Sequence, residues 1–82
     1  MARVHELIAA KNWSGAHKAA SALAVRNPGS RQCRALVCYT RGREAQFAGK
    51  GEEAVTELQK ALQLDPELVQ AKTALSELLK RR

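Results

Sequence analysis

The most constraining feature of this sequence is one spacing of small or apolar residues and proline that occurs twice. In each copy, an alanine is followed by small or apolar residues four and seven positions later and by proline twelve positions later. Intervals of four and seven place side chains on one face of an α-helix, and proline interrupts the helix soon afterwards. The sequence therefore predicts two equivalent helices whose matching residues lie 38 positions apart. The two sets are Ala16, Ala20, Leu23 and Pro28, and Ala54, Leu58, Ala61 and Pro66.

Helix-forming residues dominate the rest of the chain as well. The segments between turn signals are rich in Ala, Leu, Gln, Glu, Lys and Arg, and they show almost no alternation of β-branched residues. Connections this short require neighbouring helices to run in opposite directions. We therefore expect an all-α domain of antiparallel helical hairpins, with five helices over residues 3–10, 13–26, 31–48, 52–64 and 66–80.

Two Asx-Pro dipeptides mark predicted helix starts. In Asn27-Pro28 and Asp65-Pro66, the Asn or Asp side chain can accept a hydrogen bond from an amide of the first turn. Proline then suits the next position, because the amide it lacks would have no partner there. Ser30 is an alternative cap for the third helix. The dipeptides thus predict that proline opens helices 3 and 5.

The stretch 35–68 (ALVCYTRGREAQFAGKGEEAVTELQKALQLDPEL) resembles one complete unit of the tetratricopeptide repeat (TPR) family, a helix-turn-helix of about 34 residues. Residues 1–28 resemble a first unit with a shortened first helix, and residues 69–82 resemble a capping helix. The resemblance implies one domain over residues 1–82, folded as a short right-handed solenoid of stacked hairpins. The residues that carry it are Cys38 at the family's Trp position, then Gly42, Ala54, Leu58, Ala61 and Pro66.

The same resemblance implies a protein-protein interaction module. In this family the first helix of each unit lines a groove that binds a peptide or a partner protein, so helices 1, 3 and 5 would line it here. An aromatic pair beside Arg43 suits a peptide with an apolar anchor and a carboxylate. The alternative interpretation is that Tyr39 and Phe47 fill the core, and for Phe47 the core is the favoured position. The groove positions carried onto this sequence are His5, Ile8, Leu36, Tyr39, Arg43, Gln46, Phe47, Thr73, Glu77 and Lys80.

Charge offers a second interpretation. The net charge is +6, and the part before Glu44 holds eight basic residues against one acidic residue, Glu6. Such a basic half favours a solvated face, an acidic protein partner or, as the alternative function, a helical module that binds nucleic acid. Aromatic residues for base stacking are scarce, so we weigh nucleic acid below a protein partner. The basic face consists of Arg26, Arg31, Arg34 and Arg41.

Catalytic and metal-binding patterns are missing from the sequence. It has no Ser-His-Asp set, no paired carboxylates and no phosphate-binding loop, so we expect no enzyme and no cofactor. His5 and His17 have no Cys or carboxylate three or four residues away, which predicts solvated histidines and no metal. Cys33 and Cys38 are interpreted as small packing residues. We expect neither a membrane span nor a signal peptide, and a cytoplasmic location is predicted.

Two repeat units are fewer than the three that such folds usually need for stability. The helical pattern also begins directly after Met1, which favours a fragment of a larger protein. Weak self-association is a further expectation, because a shortened first helix would leave apolar surface open at the Met1 end.

Overall fold

Five α-helices form the chain in a computed structural model that describes residues 2–80. No strand occurs within that range, so the predicted all-α class is confirmed. Four of the helices lie within one residue of their predicted bounds at both ends, and the fifth begins three residues later than predicted. The helices are α1 (Ala2–Ala9), α2 (Trp13–Arg26), α3 (Arg31–Phe47), α4 (Gly51–Leu64) and α5 (Val69–Lys80).

The Asx-Pro dipeptides end helices instead of starting them, which corrects the sequence prediction. Asn27 is the C-cap of α2, and its side-chain amide donates a hydrogen bond to the Leu23 carbonyl (3.0 Å). The N-cap of α3 is Ser30, whose hydroxyl accepts from the Cys33 amide (3.2 Å). Pro28 therefore lies in a turn between the two helices.

The second dipeptide follows the same rule. Asp65 is the C-cap of α4, and its Oδ1 accepts a hydrogen bond from the Glu67 amide (3.2 Å). This contact between residues i and i+2 is an Asx-turn, a local alternative to helix capping. Pro66 lies inside the turn, and α5 starts only at Val69.

Each helix packs mainly against its neighbours in the sequence, with the most extensive contacts between α3 and α4 and between α2 and α3. Helices α2 and α3 run in opposite directions, because Trp13 meets Phe47 while His17, one turn later, meets Glu44. The short connections give the same arrangement to the other hairpins. Helix α3 is therefore held between α2 and α4.

Small residues bring α3 and α4 close together. Ala54, Leu58 and Ala61 of α4 are fully buried, and Gly42 of α3 lies opposite them. A Cβ atom on Gly42 would come within 3.0 Å of Leu58 Cγ and 3.3 Å of the Ala54 carbonyl oxygen. Glycine at this position therefore permits the close approach of the two helices.

Two apolar residues of α1, Val4 and Ile8, are buried. They therefore do not form the open apolar surface that was expected at the N-terminal end, and Met1 lies outside the described residues. Within residues 2–80, no helix is both long and apolar enough to cross a membrane. The large apolar side chains that are exposed lie elsewhere: Val25, Phe47, Val69 and Leu79.

Candidate functional site

An arginine lies among aromatic rings where α2 meets α3. Arg43 Cζ is 4.8 Å from the centre of the Trp13 ring and 5.3 Å from the centre of the Phe47 ring. The Trp13 and Phe47 rings are nearly parallel, 11° apart, with centroids separated by 6.1 Å. Tyr39 meets Trp13 edge to face at 5.9 Å. Both Arg43 distances fall within the range of cation-π attraction, which holds the guanidinium in place.

The guanidinium of Arg43 keeps donors for a ligand. Its Nη1 donates a hydrogen bond to Gln46 Oε1 (2.9 Å), whereas its Nε is buried and has no hydrogen-bond partner among the described residues. An arginine side chain carries five N–H donors in a fixed plane. The aromatic contacts and Gln46 thus orient a cation whose donors are only partly used.

Beside Arg43 an open cleft of about 240 Å³ separates α3 from α5. Two of the four large, exposed apolar side chains lie on this side of the molecule. Val69 lines the cleft and is 64% exposed, and Phe47 adjoins it through Arg43 and is 62% exposed. The lining residues are Tyr39, Arg43, Val69, Gln70, Thr73, Ala74 and Glu77.

Both signs of charge meet at Tyr39. Burial raises the pKa of the Tyr39 hydroxyl above its ordinary value, Arg43 opposes this by lowering the pKa, and Glu77 adds to the increase. The pKa of Tyr39 is therefore affected by a cation on α3 and by an anion on α5. The cleft therefore offers a cationic side to acidic groups and an anionic side to basic groups.

The structure brings together only part of the groove predicted from the sequence. Tyr39, Arg43, Thr73 and Glu77 line the cleft, and Gln46 and Phe47 contact Arg43. The remaining positions lie elsewhere. Ile8 and Leu36 are buried in the core, because each lies on the side of its helix that faces the neighbouring helices, while His5 is exposed on α1 and Lys80 lines a different groove.

Four further residues belong to the site and were not predicted as part of it. Val69, Gln70 and Ala74 line the cleft from α5, and the fourth is Trp13. Trp13 is not among the groove residues predicted from the sequence. It is the chain's only tryptophan and stands at the first position of a helix, and this was the one signal that could have drawn attention to it.

The predicted basic face is exposed but partly paired. Arg26, Arg31, Arg34 and Arg41 are all exposed, and the last three share one face of α3. Arg41 Nη1 lies 3.8 Å from Glu57 Oε2 of α4. Because Glu57 partly neutralises Arg41, the four arginines do not form a continuous row of unpaired charges.

No described group of three or more His, Cys, Asp or Glu residues could hold a metal ion. His5 is exposed as predicted, but His17 is half-buried with Nδ1 3.6 Å from Glu44 Oε1, so the solvated position predicted for it is wrong. Cys33 and Cys38 are free thiols. Burial, followed by the nearby carboxylate of Glu57, raises the pKa of the Cys38 thiol, which makes a reactive thiolate unfavourable.

The chain matches no protein-family model, and no curated protein or solved structure is significantly similar to it. The resemblance to the TPR family therefore depends on the residues of the repeat and stays a prediction. The cleft between α3 and α5, with Arg43 among aromatic rings at its edge, is the site from which a function can be argued.

Proposed function

We propose that the chain is a non-catalytic, TPR-like interaction module that binds a peptide or a partner protein in the cleft between α3 and α5. The observation that carries this proposal is the pair of exposed apolar side chains, Phe47 and Val69, beside a half-buried arginine. Aromatic residues and arginine supply most of the binding energy at protein interfaces. Phe47 stacks on Trp13 and is exposed to solvent, so a partner that covers it would bury apolar surface, which favours binding.

The chemistry of the cleft suggests what the peptide carries. An apolar side chain would pack between Phe47 and Val69, and an acidic group beside it would accept hydrogen bonds from the Nη donors of Arg43 that Gln46 does not use. Glu77 on the other wall favours a basic or neutral residue further along the peptide. The cleft would thus recognise the order of charges along the peptide as well as its apolar anchor.

The pattern of helix contacts supports a solenoid arrangement. Helices pack mainly on their sequence neighbours, as they do in repeat proteins whose units contact only adjacent units. Helices α2 and α4 both pack against α3, and Ala16 and Ala54, at equivalent positions of the repeated spacing, are both fully buried. In a TPR-like arrangement the cleft between α3 and α5 lies on the groove side.

Selection of peptides tests the proposal. A random peptide library displayed on phage would be panned against the whole chain, and enriched peptides would be synthesised and titrated by fluorescence anisotropy. Phe47→Ala should weaken binding by about tenfold, and Val69→Ala by less, since a smaller anchor is lost. Val25→Ala is the matched control, because Val25 is 79% exposed on α2 and lies outside the cleft. It should leave affinity unchanged.

Two outcomes would overturn the proposal. One is a selection that enriches no peptide. The other is a set of peptides whose affinity for Phe47→Ala and Val69→Ala equals that for the unaltered chain.

The nucleic-acid alternative has weaker support, because Arg41 is paired with Glu57 and the three aromatic residues of the chain cluster around Arg43, away from the basic face. Binding of labelled RNA or DNA at low salt that is lost at high salt would restore the alternative.

A further inference from the structure

A second groove lies between α4 and α5, away from the proposed peptide cleft. It encloses about 420 Å³ and shares no lining residue with the cleft between α3 and α5. Leu79 is 47% exposed there, and two half-buried leucines complete an apolar floor. The lining residues are Leu62, Lys72, Leu75, Ser76, Leu79 and Lys80.

The charged residues of this groove all carry the same sign. Lys72 and Lys80 lie eight residues apart on α5, about 12 Å along the helix axis, and they bracket Leu75 and Leu79. No acidic side chain is among the lining residues. The groove therefore presents an apolar strip with a cation near each end, which is complementary to an apolar strip with an anion near each end.

We infer that this groove binds an amphipathic helix of a partner protein, with apolar side chains four residues apart and acidic residues flanking them. A helix satisfies its own backbone hydrogen bonds, whereas an extended peptide would bury amides against leucines where Ser76 offers the only uncharged polar side chain. Apolar anchors at this spacing match Leu75 and Leu79, which are also four residues apart on α5.

A second copy of the chain fits this groove poorly. In a symmetric dimer the same surface would face itself, which would bring Lys72 and Lys80 of the two copies together with no acidic residue in either groove. Like charges placed opposite each other oppose association. An acidic partner helix avoids this repulsion and uses both lysines.

Charge exchange between the chain and a synthetic helix tests the inference. The probe is an alanine-based amphipathic peptide with leucines four residues apart and flanking glutamates, and the second probe carries lysines in place of the glutamates. The unaltered chain should bind the glutamate peptide, and K72E/K80E should weaken that binding by about tenfold at low salt. The same variant should bind the lysine peptide better than the unaltered chain does. Leu79→Glu should weaken binding of the glutamate peptide more than K72E/K80E does.

The control variant K11E/K18E makes the same change in net charge at two exposed positions outside the groove, one in the turn before α2 and one on α2. It should bind the glutamate peptide much as the unaltered chain does, and circular dichroism should show equal helix content in the two double variants and the unaltered chain, because each substituted lysine is exposed.

Three results would overturn the inference. They are no binding of the glutamate peptide, equal weakening by the two double variants, and sedimentation that shows a dimer which Leu79→Glu disrupts. The last result would identify a second copy as the occupant. None of these measurements involves Phe47 or Val69, so the proposed peptide cleft is tested separately.

Discussion

The two sides of α3 differ in how they are packed. Toward α4, the contact is made by Gly42 with Ala54 and Leu58, and a Cβ atom at position 42 would lie 3.0 Å from Leu58 Cγ. Toward α2 and α5, the contact is made by aromatic rings and the long side chain of Arg43. We call the buried contact around Gly42 the closed side, and the contact around Arg43, which borders the cleft, the open side.

The difference shows that residue size decides which contacts of α3 are filled, and so stabilise the fold, and which leave space beside them. Small side chains let two helices approach closely, so that backbone atoms fill much of the interface and leave no gaps. Flat rings packed edge to face and face to face hold helices further apart and leave space beside them. The face of α3 that packs with Gly42 therefore supports the fold, while the face with Tyr39 and Arg43 is available to a ligand.

The largest expected effect follows from removing the one large side chain of the closed side. Leu58 is fully buried, and Leu58→Ala should lower the free energy of unfolding by about 3 kcal/mol, since it removes apolar contacts and leaves a cavity. Phe47→Ala, on the open side, should cost less than about 1 kcal/mol because the ring is mostly exposed. Urea denaturation followed by circular dichroism measures both values. Equal losses for the two variants would contradict the distinction between the two sides.

A smaller effect with a change of sign is expected at Gly42. Alanine is the better helix former, but its Cβ would lie 3.0 Å from Leu58 Cγ, so Gly42→Ala should destabilise the chain by about 1 kcal/mol. In the Leu58→Ala background that clash is removed, and the remaining 3.3 Å approach to the Ala54 carbonyl is tolerable. Gly42→Ala should then stabilise by about 0.5 kcal/mol.

The four unfolding free energies form a double-mutant cycle, and their coupling measures the contact between Gly42 and Leu58 directly. Additive effects would mean that Leu58 does not set the requirement for glycine. A loss of stability by Gly42→Ala in both backgrounds would assign that requirement to the Ala54 carbonyl instead.

Much of the packing of α2 and α4 was predictable from the sequence. The repeated spacing identified α2 and α4, and Ala16, Ala20, Ala54, Leu58 and Ala61 are all buried. Leu23, at the position equivalent to Ala61, is only half-buried. The role of the two Asx-Pro dipeptides and the start of α5 were less predictable, because Asn and Asp before proline can bond to either side, and here they close the preceding helix.

The open side was predictable only in part. The resemblance to the TPR family assigned Tyr39, Arg43 and Phe47 to one groove-lining face of helix 3, and they lie together in or beside the cleft. Which helix lies across from that face depends on packing between helices, and this decides that Trp13 stacks on Phe47 and that Ile8 turns inward. The start of α5 at Val69 then decided which of its residues reach the cleft.

The smallest effect concerns the ionisation of Tyr39 on the open side. Burial raises its pKa above the usual value of about 10, and Arg43 and Glu77 act on it in opposite directions. Because the neutral phenol is favoured in the folded chain, its contribution to stability is complete below about pH 10 and is lost as the pH rises through the folded pKa. The difference in unfolding free energy between the unaltered chain and Tyr39→Phe should therefore be constant near neutral pH and shrink in alkali.

Tyr39 is the only tyrosine in the sequence, so the absorbance of its phenolate reports the folded pKa directly. Glu77→Gln should move that pKa back toward the usual value, since it removes a negative charge from the other wall of the cleft. Glu67→Gln is the control, because Glu67 is exposed in the turn before α5 and does not contribute to the shift at Tyr39. A folded pKa at or below that of unfolded tyrosine would mean that the hydroxyl is solvated, and the cleft would then be more open around Tyr39 than its burial indicates.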